Sequence, residues 1–138
     1  MPTPPVLRLT SITIGAPDPR LLAEFYARLL GTTVLHEDGP RAGEPPEDGW
    51  AQFKATHEGG SLTVNVEYEQ CWQTPVWPAE QGRPVATQHL DIYVNDLEAA
   101  TEWAVACGAT LAADQPQDAV RVFIDPGGHP FCLFTDHG

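Results

Sequence analysis

The sequence predicts an α+β domain built from two tandem βαβββ modules, and three observations carry that prediction. Residues 11–31 and 89–108 read as two copies of one unit. Ser11-Ile12-Thr13-Ile14-Gly15-Ala16-Pro17-Asp18 aligns without a gap on His89-Leu90-Asp91-Ile92-Tyr93-Val94-Asn95-Asp96, and Glu24-Phe25 then falls on Glu102-Trp103. Each copy changes from period-two alternation to helical spacing and stops at a glycine, Gly31 or Gly108, with a one-residue slip between them. Each is followed by further extended segments separated by turn residues. Two copies are too few for a solenoid, which needs three or more stacked units. They imply a pseudo-twofold domain with an active cleft between its halves. Function is expected to be decided at the matched head positions, Ser11 and His89.

The elements follow in order. Residues 8–14 alternate, with Leu7, Leu9, Ile12 and Ile14 among polar neighbours, which predicts a half-buried strand. Asp18-Pro19 supplies an N-cap followed by proline at the first helical position. Leu21, Leu22, Phe25 and Leu29 then recur at helical spacing until Gly31 stops the helix. Extended segments are expected at 33–35, 50–56 and 62–68. In the second copy Leu90, Ile92 and Val94 point one way, and His89, Asp91 and Tyr93 the other. Asn95 and Asp96 offer capping side chains, with Glu98 placed for a capping box with Asn95. Leu97, Ala100, Trp103, Ala104 and Cys107 form the apolar stripe of the second helix. Extended segments at 110–112, 121–125 and 131–135 complete the second half. Gly59-Gly60 and Pro126-Gly127-Gly128 stand where hairpin turns are needed. Residues 1–138 thus form one domain, with the first module at 7–70, a crossover at 71–88 and the second module at 89–135. Residues 37–49 form a polar loop over the first module.

The composition bounds what such a domain does. At 138 residues the chain is long enough to bury a real core, and its apolar runs are too short to span a membrane. The start, MPTPPVLRLT, has no basic segment leading into a hydrophobic stretch, so no secretory signal is read there. Three cysteines without C-x-x-C spacing argue against a disulfide framework or a structural zinc site and favour the cytoplasm. A net charge of −12 opposes nucleic-acid binding and suits a solvated acidic surface or a cationic ligand.

Gln88-His89-Leu90-Asp91-Ile92-Tyr93-Val94-Asn95-Asp96-Leu97, Phe123-Ile124-Asp125-Pro126-Gly127-Gly128-His129-Pro130-Phe131 and the Phe25-Tyr26 pair resemble the vicinal oxygen chelate superfamily, the glyoxalase/bleomycin-resistance fold, in its glyoxalase-like branch. The resemblance covers about Leu7 to Phe134. It implies a cupped mixed sheet with helices packed outside. In enzymes of the superfamily a divalent metal in the cup, ligated by the first and last strands of each module, holds two neighbouring substrate oxygens. Carried over by position, those ligands fall on Ser11, His89, Cys132 and a place near Asn65, with Thr63 and Glu67 on the same face. Serine hydroxyl and asparagine amide are weak ligands for the metals involved. The sequence therefore predicts a cup without the usual metal; a bound metal would need His89, Glu67 and Cys132.

The ligand-binding candidates are Ser11, Thr13, Trp50, Asn65, Glu67, His89, Asp91, Tyr93 and Cys132. His89 is a ligand contact, a hydrogen-bonded structural residue or a catalytic acid/base, since imidazole titrates near neutrality beside Asp91 and Tyr93. Asp91 calls for a cationic group on the ligand or an internal partner, and Arg121 is the favoured one. Trp50, Trp72 and Trp77 pack a core or rim, or stack on a planar ligand. Cys132 is a packing residue, or a nucleophile if His89 takes its proton. His129 reads as a turn residue, and His36, His57 and His137 carry no motif. The leading expectation is a cytoplasmic small-molecule-binding protein, dimeric as relatives often are, without nucleic-acid or membrane partners. The alternatives are a metal-dependent lyase, isomerase or dioxygenase, and a drug-sequestering protein of the bleomycin-resistance kind. Specificity is expected in loops 37–49 and 71–84.

Overall fold

The computed structural model describes residues 1–57 and 60–136. In chain order its elements are β1 (Ser11–Ala16), α1 (Pro19–Leu30), β2 (Val34–Asp38), β3 (Trp50–His57), β4 (Gly60–Tyr68), β5 (Asp91–Tyr93), α2 (Leu97–Cys107), β6 (Thr110–Leu111), β7 (Val120–Ile124) and β8 (Pro130–Phe134). Both modules are therefore βαβββ. Gly59 of the expected Gly59-Gly60 turn lies outside the described residues, whereas Pro126-Gly127-Gly128 does form the β7–β8 turn. No helix among the described residues is long and apolar enough to cross a membrane.

The strands make two four-stranded sheets, ordered β1-β4-β3-β2 and β5-β8-β7-β6. The same parallel pairing opens each: Thr13 is opposite Asn65 in the first, and Asp91 is opposite Cys132 in the second. The pseudo-twofold thus extends from the sequence repeat to the register, with Asn65 and Cys132 at equivalent positions.

Both helices start and stop on the residues their sequences offered. Asp18 accepts a hydrogen bond from the Leu21 N–H, and Pro19 opens α1. Asp96 does the same for Ala99 in α2, at 3.1 Å. Asn95 is not the cap, and the box with Glu98 does not form, because Asp96 already occupies the capping position. Gly31 and Gly108 close the helices in the left-handed conformation.

α1 is buried on more than one side. Tyr26 stacks on Phe53 of the first sheet and meets Phe131 of the second edge-on, each at a centroid distance of 5.6 Å. Phe25 also touches Phe131, and Phe131 stacks on Phe123. The helix-covered faces of both sheets therefore share one aromatic core. Within one chain the modules do not close into a single continuous sheet. The hydroxyl of Tyr26 donates to Asp125 at 2.6 Å, tying α1 to the β7–β8 turn.

Three expectations are corrected. The first strand starts at Ser11, not at residue 8, leaving Leu7 and Leu9 exposed at 83% and 74%; β1 leaves the parallel ladder there although β4 runs on to Gly60. Leu21 is exposed on the solvent side of α1, since the buried arc runs through Leu22, Phe25 and Tyr26. Trp103 is half exposed and reaches across to donate its indole N–H to the Leu29 carbonyl.

Candidate functional site

The helix-free face of the second sheet collects the chemistry. Alternation puts His89 and Asp91 on one side of their strand, and the Asp91–Cys132 register places the thiol next to the carboxylate. The Cys132 N–H donates to the Leu90 carbonyl at 2.9 Å, which continues the ladder to the residue beside His89. His89 Nδ1 lies 3.2 Å from Asp91 Oδ1. A nitrogen of His89, an oxygen of Asp91 and the sulfur of Cys132 all lie within 4.8 Å of one another.

Two adjoining cavities, about 290 and 150 Å³, share Trp77, His89, Val122 and Cys132 in their walls. The crossover roofs them. Its 76–84 stretch is closed by a bond from the Val76 N–H to the Pro84 carbonyl, at 2.9 Å, which carries Trp77 over the sheet. The β7–β8 turn holds the crossover from beside: a Cβ on Gly128, whose φ is +91°, would lie 2.7 Å from Thr74 Cγ2. Only glycine gives both that conformation and that approach.

The expected Asp91–Arg121 pair is absent. Arg121 Nη1 instead donates to the carbonyls of Asp118 and Val120, at 3.0 and 2.9 Å, bracing its own loop. No lysine or arginine lines either cavity among the described residues. Burial, and then the Asp91 charge, push the Cys132 thiol up from its ordinary pKa, so it rests protonated.

The first-module candidates lie on the other sheet. Ser11 shares a 2.6 Å hydrogen bond with Thr63. The Asn65 amide donates to Thr13 Oγ1 at 3.2 Å and accepts from Gln52 at 2.7 Å, so this row is a self-satisfied polar ladder. Glu67 is in register with Gly15 and Trp50 and is no part of the His89 cluster. Trp50 stacks beside His36 and donates to Asp38, while Trp72 packs near His129, so the three tryptophans do not cluster. Tyr93 points its hydroxyl toward Asp136 at 3.4 Å.

A larger cavity, about 660 Å³, lies elsewhere, in the seam between the modules. Ile12, Phe53, Val64, Leu90 and Ile92 make it mainly apolar, and among the described residues Asp91 and Tyr93 are its only side chains with acid, base or hydroxyl groups. Size favours the seam, but chemistry favours the smaller cavities, where three reactive side chains converge under an aromatic roof.

Residues 11–134 match the glyoxalase-like domain family. The chain belongs to that family, within the vicinal oxygen chelate superfamily. No curated protein matches. Among solved structures, the fosfomycin resistance protein FosX of Listeria monocytogenes, bound to Mn(II) and sulfate, is similar at 16% identity and a TM-score of 0.65, with 96% of this chain and 94% of that one covered. A point mutant of the same protein, with Mn(II) and 1S,2S-dihydroxypropylphosphonic acid, aligns at 16% identity and a TM-score of 0.64 over 94% and 92%. An integron cassette protein from V. cholerae aligns over 98% and 99%, at 17% identity and a TM-score of 0.57. At these identities the likeness is one of fold.

The cluster of His89, Asp91 and Cys132 was within reach of sequence alone, because the repeat placed all three at strand positions. The Trp77 roof was legible only as one of three tryptophans. Val120 and Val122 carry the alternation that puts them beside Cys132, whereas nothing local marked Pro116 or Gln117 as wall residues.

Proposed function

We propose that this protein binds a small, compact organic molecule on the helix-free face of its second module, between the Trp77 roof and the His89–Asp91–Cys132 floor. The observation that carries the proposal is the convergence of those three side chains on one cavity of about 290 Å³. Trp77, Val120 and Val122 supply an apolar wall for a flat body. Asp91, which has no arginine or lysine partner among the described residues, favours a cationic or hydrogen-donating end, with His89 available to accept or donate a proton. Phosphonic acids of the kind bound to FosX are disfavoured here, because the cavity walls carry no arginine or lysine and the chain has a net charge of −12. The drug-sequestering alternative therefore narrows to cationic or neutral molecules. The free state of Cys71, Cys107 and Cys132 supports a reducing, cytoplasmic setting.

The second reading, a metal-dependent lyase, isomerase or dioxygenase, is favoured by the same three donors. Imidazole, carboxylate and thiolate fit zinc-class ions better than manganese, which prefers oxygen ligands. A metal held there would supply Lewis-acid polarisation of a substrate oxygen. The chain's own contribution would be to orient the ligand under Trp77 and to exclude water with the crossover.

A homodimer belongs to the proposal as well. β1 and β5 each end a sheet with one unpaired edge. The Ser11–Thr13–Asn65 ladder lines neither second-module cavity within one chain. The test is a panel of small planar amines and their matched carboxylates, screened on chelator-treated protein by thermal shift and tryptophan fluorescence. Amines should raise Tm, and Val120→Trp, which fills the cavity, should lower their affinity at least tenfold. Binding of carboxylates alone, or binding indifferent to Val120→Trp, would contradict the assignment.

A further inference from the structure

We infer a second ligand site at the base of the crossover, taking a small neutral molecule that presents a carboxamide edge, one carbonyl oxygen beside an N–H. The site is separate from the second-module cavities. Its own cavity of about 290 Å³ shares only Val85 with the 150 Å³ cavity and no wall residue with the other. That volume is close to the lower end of the range for ligand pockets, about 300–1,000 Å³.

Both modules and both ends of the crossover build it. The Glu69 N–H donates to the Ala16 carbonyl at 2.9 Å, and the Trp72 N–H returns to the Glu69 carbonyl at 3.2 Å. That turn hangs Glu69 and Trp72 from the end of the first sheet. On the second-module side His129 is fixed through its own N–H, which donates to Asp125 at 3.0 Å. Gln73 and Gln88 bring primary amides from the two ends of the crossover.

Three groups in these walls have hydrogen-bonding capacity left over. The Trp72 indole N–H is buried and has no acceptor among the described residues. Buried donors are almost always paired, so an orphan donor marks a missing acceptor. His129 is only 7% exposed, and its Nδ1 lies 3.4 Å from the Pro130 carbonyl. A carbonyl only accepts, so the neutral ring keeps its proton on Nδ1 and offers Nε2 as an acceptor. Glu69 commits one carboxylate oxygen to the Cys71 N–H, at 2.9 Å, and keeps the other.

These leftovers choose the ligand. An ammonium group would satisfy Glu69 and His129 but has no lone pair for the indole N–H. A carboxylate would accept from the indole, yet it would stand near Glu69 with no lysine or arginine in the cavity wall among the described residues. A carboxamide carries acceptor and donors on one planar, uncharged group. The Trp72 and His129 rings, 6.1 Å apart, give its planar body a surface to pack against.

The test follows the four tryptophan indole N–H resonances of ¹⁵N-labelled full-length protein, with Trp72→Phe and Trp77→Phe identifying two of them. Benzamide is titrated, with benzoate and benzylamine as matched controls. The expected result is a saturable downfield shift of the Trp72 resonance with benzamide alone, at the same affinity in Trp77→Phe. Glu69→Ala should weaken benzamide at least about tenfold, with melting curves establishing that the variant is folded. A Trp72 resonance that benzamide leaves in place would overturn the inference and assign the orphan N–H to a fixed water. An equal response to benzoate or benzylamine, affinity indifferent to Glu69→Ala, or binding lost in Trp77→Phe would overturn it too. Benzylamine acting on the Trp77 resonance reports on the second-module cavity separately, so either site can fail without the other.

Discussion

Asp125 shows how a single side chain welds the repeat into one molecule. Its carboxylate accepts from Tyr26 Oη at 2.6 Å, from the Gly127 N–H at 2.9 Å and from the His129 N–H at 3.0 Å. Burial still outweighs those bonds and raises its pKa above the usual value near 3.8. The folded state therefore favours the protonated acid more than the unfolded chain does. That contribution is full below the unfolded pKa and is lost as pH rises through the folded one. Wild-type stability minus that of Asp125→Asn should accordingly fall as pH rises from about 3.8 through the mildly acidic range, then level off. Urea unfolding at a series of pH values measures it, and a difference that grows over the same range would contradict the burial account. Residue-scale chemistry was only partly legible in sequence. Asp125 was visible as a turn residue, but its bond to Tyr26, 99 positions away, required the fold. The Arg121 partner predicted for Asp91 was lost because Arg121's own loop offered nearer carbonyls.

At the scale of elements, local rules dominated and were readable. Aspartate caps, proline at the first helical turn and glycine stops need only nearby residues, and both helices obey them. Replacing Asp18 or Asp96 by alanine removes the acceptor for an otherwise unpaired N–H and should cost about 1 kcal/mol each. Chemical denaturation checks this; Asn95→Ala, which removes no cap, should be close to neutral. The strands after each helix were recognisable from alternation and β-branched content. Their ends were less so, because a strand ends where its partner does. Leu7 and Leu9 carry the alternating pattern but stay exposed outside the ladder, and β2 runs on to Asp38 because it pairs with Trp50.

At the scale of the whole molecule, the repeat foretold two equivalent modules, and the register bears that out down to Asn65 and Cys132. It did not foretell how the modules meet. They share an aromatic core through Phe25, Tyr26, Phe53 and Phe131. The nine candidate residues separate into the Ser11–Thr13–Asn65 ladder and the His89–Asp91–Cys132 cluster, with Glu67, Trp50 and Tyr93 apart from both. A sequence read one strand at a time marks which side chains share a face, but the direction each face looks depends on long-range packing. The β1 and β5 edges, each at the end of its sheet, predict a homodimer. Sedimentation velocity at micromolar concentration should give twice the 15.0 kDa chain mass, and a monomer across the accessible range would refute it.

If ligands bind over Cys132 in the second module, blocking that thiol abolishes their binding. In Cys71→Ser protein the buried Cys107 is shielded, so N-ethylmaleimide should label Cys132, as peptide mass spectrometry would verify. Labelled protein that keeps its unliganded melting temperature but no longer gains stability from the planar amines would place their site on this face. Labelled protein that binds them as well as the unlabelled form would contradict it and return attention to the seam cavity.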